Sequence, residues 1–116
     1  MKKIAIAGPY SAATEKEQEE NLKRMNFFAV KVAELGHIPV IGMNAALGVV
    51  NEKPELTKEE RYNWIMKISL GVVGDCDAIF ILKESPGVLK EKELLISKNK
   101  PVFADFNLLT KYLKEA

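Results

Sequence analysis

The alternation of short apolar runs with longer helix-patterned segments is the strongest constraint on how this chain folds. The apolar runs predict buried strands over residues 3–7, 37–41, 78–82 and 101–103. Helical periodicity is present in each of the three segments between these runs, and a last helix follows the fourth run. Strands that alternate with helices favour a parallel sheet with right-handed crossovers and helices on both faces.

Local signals predict where the helices begin and end. Thr14 with Glu17 has the spacing of a capping box, and the helix that follows should stop at Gly36. Thr57 with Glu60 repeats the pattern at the start of a helix that runs to residue 74. A last helix is expected over residues 107–114, and the sequence as a whole predicts one flavodoxin-like or Rossmann-like α/β domain spanning residues 1–116.

Residues 42–55 have no clear periodicity and contain Gly48, Asn51 and Pro54. We therefore expect a long loop here that contributes to the rim of a substrate site.

Composition and charge narrow the functional classes. Seventeen basic and sixteen acidic residues give a net charge of +1 without a basic block, so nucleic-acid binding is not indicated. Cys76 is the only cysteine, which excludes an internal disulfide or a cysteine metal cluster. The first apolar run is too short for a signal sequence or a membrane span, so we expect a cytoplasmic protein without membrane contact. Asp75 and Asp77 are interpreted as turn and strand-start residues, and no metal site is predicted.

The stretch from Ser85 to Glu91 predicts a binding site. It follows the apolar run 78–82, and Ser85 followed by Pro86 is typical of an N-cap and first turn, with the helix reaching about residue 98. A helix start at the carboxyl end of a strand presents free N–H groups and the positive end of the helix dipole to an anion. Gly87 lets a ligand approach the backbone closely. The site should include residues 8–11, because these also follow a strand.

Glu91 has two interpretations from its spacing alone. With Val88 and Leu95 it forms the i, i+3, i+7 stripe that should face the core, so its carboxylate would lie beside apolar side chains and one turn from Gly87. It is then either a functional carboxylate or a structural one, paired with a lysine such as Lys98 or Lys100.

The two loops together resemble the nucleoside 2-deoxyribosyltransferase-like superfamily, which includes the 2′-deoxynucleoside 5′-phosphate N-hydrolases. The run 4–11 (IAIAGPYS) is similar to the first strand and glycine loop of that family. Cys76-Asp77-Ala78 is similar to its middle strand, and the pattern Ser85-x-Gly87-x-x-x-Glu91 is similar to its active site.

The resemblance implies that Glu91 is a nucleophile that cleaves the N-glycosidic bond of a (deoxy)nucleoside 5′-monophosphate without a cofactor. Ser85 and Gly87 would hold the phosphate, because relatives that act on free nucleosides tend to have Asp at the position of Ser85. Gly8, Tyr10 and Ser11 would line the base and sugar. A homodimer is implied because relatives complete their sites across a subunit interface.

Two positions depart from the family pattern. Ala5 stands where many relatives have a tyrosine that hydrogen-bonds the nucleophile, and Tyr10 is its possible substitute. Ser69 stands where relatives have a sugar-positioning aspartate, and its hydroxyl can hydrogen-bond a sugar without offering a charge. Two alternatives therefore stay open: a nucleoside 2-deoxyribosyltransferase, and a nucleotide-binding or sensor module without catalysis.

Overall fold

A computed structural model describes residues 1–115 as a four-stranded parallel sheet covered by five helices. The predicted α/β flavodoxin-like fold is confirmed. The elements in chain order are β1 (Lys3–Ala7), α1 (Glu15–Glu34), β2 (Ile38–Val40), α2 (Gly42–Val50), α3 (Lys58–Val73), β3 (Ala78–Ile81), α4 (Pro86–Ser97), β4 (Val102–Phe103) and α5 (Phe106–Lys114).

In the strand order β2-β1-β3-β4, the chain adds β2 on one side of β1 and β3 on the other, so the order of the strands reverses at β1. The crossover through α1 leads from β1 to its neighbour β2. The next crossover, through α2 and α3, leads from β2 past β1 to β3. All three strand pairs are parallel, and the Leu82 N–H donates to the Ala7 carbonyl at 2.9 Å where β1 and β3 end. The crevice between the carboxyl ends of these two strands is where such sheets bind ligands.

The two faces of the sheet have separate cores because neighbouring residues of a strand point to opposite sides. Ile4 and Ile6 of β1 pack with residues of α1 and α5 on one face. Ala5 and Ala7 pack with residues of α3 and α4 on the other. Residues from both strands of the central pair are almost fully buried, as the unbroken apolar runs predict.

Most predicted helix ends are confirmed. Thr57 and Glu60 form a full capping box, whereas the Thr14 side chain accepts from the Glu17 N–H without the reciprocal bond. Gly36 follows α1 with φ of +85°, a conformation that glycine adopts without strain. Asp77 has the structural role expected of it, since its Oδ2 accepts from the Lys3 N–H at 2.8 Å.

The prediction of a loop over residues 42–55 is wrong for its first nine residues, which form α2. No side chain caps this helix at Ile41, and its stability comes from packing against α3. Gly42 meets Ser69 so closely that a Cβ at position 42 would lie 2.7 Å from the Ser69 Cβ. Ala46 and Val50 are fully buried on the same side. Tertiary contact therefore overrides a sequence with poor helix signals.

Within residues 1–115, no helix has both the length and the apolar character that a membrane span requires.

Candidate active site

A cavity of about 610 Å³ opens at the carboxyl ends of β1 and β3, on the face covered by α3 and α4. We call it the Glu91 cavity. It is lined by every residue that the sequence predicted for the site: Gly8, Tyr10, Ser11, Ser69, Ser85, Gly87 and Glu91. The loop after β1 and the start of α4 meet here because the strands that precede them are hydrogen-bonded neighbours.

Glu91 projects from α4 into this cavity between two buried residues of the same helix. Val88 is 3% exposed and Leu95 is fully buried, so the stripe predicted for this helix is confirmed. Glu91 itself is half-buried. Burial raises the pKa of Glu91 from its ordinary 4.5 to about 7, because the charged carboxylate loses water that nothing in the cavity replaces.

The ion-pair interpretation of Glu91 is wrong. Lys98 donates instead to the Gly74 carbonyl at 2.7 Å, and the one salt bridge within residues 1–115 joins Lys92 to Glu84. In this part of the chain no hydrogen-bond donor reaches the Glu91 carboxylate. It is also the sole carboxylate among the residues that line the cavity. A half-buried carboxylate without a partner is therefore available to a ligand.

Ser85 and Gly87 form the predicted helix start, but with fewer free donors than expected. The Ser85 Oγ accepts from the Val88 N–H at 3.3 Å, and Pro86 has no N–H to offer. Within residues 1–115, the Gly87 N–H is then the one first-turn amide without a partner. The Ser85 hydroxyl keeps its own hydrogen to donate, so one amide and one hydroxyl are available to an anion at the positive end of α4.

Gly87 has a second reason to lack a side chain. A Cβ at this position would lie 3.3 Å from the Met66 sulfur of α3. Close packing of α3 against α4, as well as approach of a ligand, therefore favours glycine here.

Ser69 lies at the floor of the cavity and is 2% exposed. Ser69 contacts Gly42 and leaves no room for a side chain at position 42. Tyr10 lines the wall, and its backbone carbonyl accepts from the Asn21 side chain at 3.1 Å, which anchors the loop on α1. The Tyr10 hydroxyl does not hydrogen-bond Glu91.

Ala5 does not reach the cavity. It is fully buried in the core below α3 and α4, on the same side of the sheet as Glu91. A larger side chain from β1 would have pointed toward this side, and the methyl group of alanine leaves Glu91 without an orienting partner from the strand.

Sequence reasoning missed one wall of the cavity, which α2 and α3 supply. The residues not foreseen on α3 include Lys58, Arg61, Tyr62 and Met66, and Gln18 of α1 was missed as well. Those on α3 recur with Ser69 at spacings of three and four, so the helical periodicity of residues 58–69 was a usable signal. Met43 lies in the segment 42–55 that was expected at the rim of the site, although as part of helix α2 and not of a loop.

Arg61 is held in place within this wall. Its Nη2 donates to the Asn51 Oδ1 at 2.9 Å, which ties α3 to the end of α2. Lys58 lies one turn earlier, exposed at the rim. The cavity therefore has cations on its α3 side and a helix start on its α4 side.

Cys76 is not an alternative nucleophile. It is 1% exposed, and burial together with nearby Asp77 raises the pKa of its thiol to about 11. The thiol stays protonated and inert at neutral pH.

No protein-family model matches this chain, and no curated protein matches it either. The resemblance to the deoxyribosyltransferase-like superfamily therefore stays a prediction that depends on the motif residues.

Proposed function

We propose that this protein hydrolyses the N-glycosidic bond of a nucleoside 5′-monophosphate, with Glu91 as the nucleophile. The observation that carries the proposal is the half-buried, unpartnered Glu91 carboxylate, placed one helical turn from the anion-binding start of α4. A cavity of about 610 Å³ is of the size that small-molecule sites have.

The proposed reaction proceeds in two displacements at the anomeric carbon. A Glu91 oxygen bonds to that carbon while the bond to the base nitrogen breaks, and the base leaves with the electron pair and takes up a proton. Water then attacks the same carbon, releases the carboxylate and gives up its proton to solvent. Since Glu91 is the sole carboxylate lining the cavity, this one-carboxylate route fits better than the two-carboxylate scheme of most glycosidases.

The substrate phosphate is assigned to the start of α4. The Gly87 N–H, the Ser85 hydroxyl and the helix dipole favour an anion there. Arg61 and Lys58 add positive charge across the cavity. A free nucleoside would leave these groups without a counter-charge, which favours a monophosphate.

The apolar part of the wall suits a base. Met43, Tyr62 and Met66 come from α2 and α3, and thioether and aromatic groups pack well on a planar ring.

The absence of an orienting partner for Glu91 supports one second candidate, a nucleotide-binding module without catalysis. A tyrosine at the Ala5 position would be directed to the side of the sheet where Glu91 lies, and alanine cannot hydrogen-bond the carboxylate. Such a module would hold a nucleotide in the same cavity and leave it unchanged.

The decisive experiment is incubation of the protein with ribo- and deoxyribonucleoside 5′-monophosphates, followed by chromatography for free base. Release of a base that is lost in Glu91→Gln supports the hydrolase. A new nucleotide formed when a second base is added identifies a transferase instead. Tight nucleotide binding without base release, with and without an acceptor, overturns the catalytic proposal in favour of the binding module.

The pH dependence of kcat/KM separates a nucleophile from an acid. A nucleophile must be ionised, so kcat/KM should rise with pH through about 7, where the pKa of Glu91 in the free protein lies, and then level off. A fall over the same range would mean that Glu91 donates a proton, which contradicts the proposed role.

A further inference from the structure

A second cavity, of about 780 Å³, lies on the opposite side of the loop formed by residues 8–11. It opens at the same edge of the sheet but on the face covered by α1 and α5. We call it the aromatic cavity, because one of its walls consists of Phe28, Phe80 and Phe106. It shares Gly8, Pro9 and Ser11 with the Glu91 cavity and has its other lining residues to itself.

The three phenylalanine rings form one connected surface. Phe28 lies 5.1 Å from both Phe80 and Phe106, measured between ring centroids, and Phe80 lies 5.3 Å from Phe106. Phe80 is 3% exposed, whereas Phe28 and Phe106 are half-buried. The exposed parts of these rings offer an apolar wall to which a planar ring can pack edge-on or offset-stacked.

Two cationic side chains, Arg24 and Lys83, line this cavity without acidic partners. Arg24 comes from α1 and Lys83 from the segment after β3, so different parts of the chain bring them to one place. Within residues 1–115, neither forms a salt bridge, a side-chain hydrogen bond or a cation–π contact. Glu17 is the sole acidic residue of the lining, and it lies beyond ion-pair distance of both. The cavity is therefore electropositive beside an apolar wall.

A hydrogen bond connects the two cavities. Asn21 lines the aromatic cavity, and its Nδ2 donates to the backbone carbonyl of Tyr10, which lines the Glu91 cavity. The amide keeps its own carbonyl oxygen and a second N–H for a ligand. A ligand that binds Asn21 would thus contact the side chain that holds the loop of residues 8–11 in place.

We propose that the aromatic cavity is a second ligand site, which binds a small molecule made of a planar aromatic ring and a phosphate or carboxylate. The ring packs on the Phe28–Phe106 wall, and Arg24 and Lys83 pair with the anion. This site does not require Glu91 to be catalytic, since it shares only loop residues 8–11 with the Glu91 cavity.

The experiment is an NMR titration of ¹⁵N-labelled protein with phenyl phosphate. Saturable shifts are expected at the amides of residues 21–28 and 82–84. Methyl phosphate and phenol should each bind at least roughly tenfold more weakly, because each lacks one of the two recognised groups. Benzoate in a parallel titration distinguishes a carboxylate from a phosphate as the preferred anion, and saturable binding of either aromatic anion supports the site.

Substitutions of the lining residues test whether phenyl phosphate binds in the aromatic cavity. Arg24→Gln and Lys83→Gln should each weaken phenyl phosphate binding roughly tenfold, the loss expected for one charge-assisted hydrogen bond. Lys23→Gln, an exposed neighbour of Arg24 that does not line the cavity, is the matched control and should leave the affinity unchanged.

Two outcomes would overturn the proposal. One is binding that is lost in Arg61→Gln but kept in Arg24→Gln, which would place phenyl phosphate in the Glu91 cavity instead. The other is equal affinity for methyl phosphate and phenyl phosphate, which would mean that the phenylalanine wall recognises no ring.

Discussion

The Glu91 cavity and the aromatic cavity flank one loop, yet they differ in the chemistry they can support. The first contains a half-buried carboxylate whose pKa burial raises to about 7. The second contains partnerless cations and phenylalanine rings, and its one acid, Glu17, is exposed on α1. A raised carboxyl pKa and a helix start in one place favour reaction, whereas cations beside an apolar wall favour binding alone.

The first way to sharpen this comparison is to remove the reactive group. Glu91→Gln should lower turnover of the nucleoside monophosphate by at least roughly 10³-fold, because an amide cannot form the covalent intermediate. Nucleotide binding should persist, as judged by titration calorimetry. Glu93→Gln on the exposed side of α4 is the control. Activity unchanged in Glu91→Gln would mean that the two cavities do not differ in the way proposed.

Stability against pH provides the next test. The unfolded chain loses the Glu91 proton near pH 4.5, while the folded protein keeps it to about pH 7. The folded state therefore binds more protons between these values, and the free energy of unfolding falls as pH rises through that window. The loss amounts to about 3 kcal/mol and stays constant above pH 7.

Glu91→Gln should remove this loss, because its amide does not ionise. Urea denaturation at pH 4 and pH 8 measures the effect as a difference between wild type and variant. Arg24→Gln in the aromatic cavity should leave the wild-type pH profile in place. A profile that is identical in wild type and Glu91→Gln would show that the carboxylate is not desolvated.

A third test concerns the wall that α2 builds on the Glu91 cavity. Gly42→Ala should destabilise the protein by about 1–3 kcal/mol, since the added Cβ would lie 2.7 Å from the Ser69 Cβ. Gly48→Ala in the same helix meets nothing within 4 Å and should stabilise by up to about 1 kcal/mol. Thermal denaturation compares the two. Equal effects would mean that α2 does not pack on α3 as described.

The smallest expected effect separates the cations of the two cavities. Arg61→Gln should raise KM for a nucleoside monophosphate by up to roughly tenfold, because it removes positive charge from the wall across from the phosphate, with little change for the free nucleoside. Steady-state kinetics on both substrates measure this, with Arg24→Gln as the control. A larger effect in Arg24→Gln would mean that the substrate phosphate extends past Ser11 into the aromatic cavity.

The fold was accessible from the sequence because its signals are local. The apolar runs, the Thr57–Glu60 capping box and Gly36 each depend on a few adjacent residues, and each was confirmed. Helix α2 was missed for the opposite reason, since its stability depends on contact between Gly42 and Ser69, which are distant in sequence.

The candidate site was also predictable only in part, namely where its residues directly follow strands. Residues 8–11 and 85–91 follow adjacent strands, so their meeting follows from parallel topology. The contributions of Arg61, Tyr62 and Met43 depend on how α2 and α3 pack over the sheet, which no local pattern encodes. The N-cap role of Ser85 was predicted and is confirmed, and together with Pro86, which has no N–H, it leaves fewer free amides at the start of α4.

The sequence by itself determined the α/β class, the carboxyl-edge position of the site and the helix stripe on which Glu91 lies, since periodicity and turn chemistry act over short distances. Only the tertiary structure decided that Glu91 has no ion partner within residues 1–115. The sequence allowed Lys98 to pair with Glu91. Its ammonium group donates to the Gly74 carbonyl instead, because of where α3 ends relative to α4. Charge pairing and desolvation are set by three-dimensional neighbours, and these same neighbours raise the pKa of Glu91.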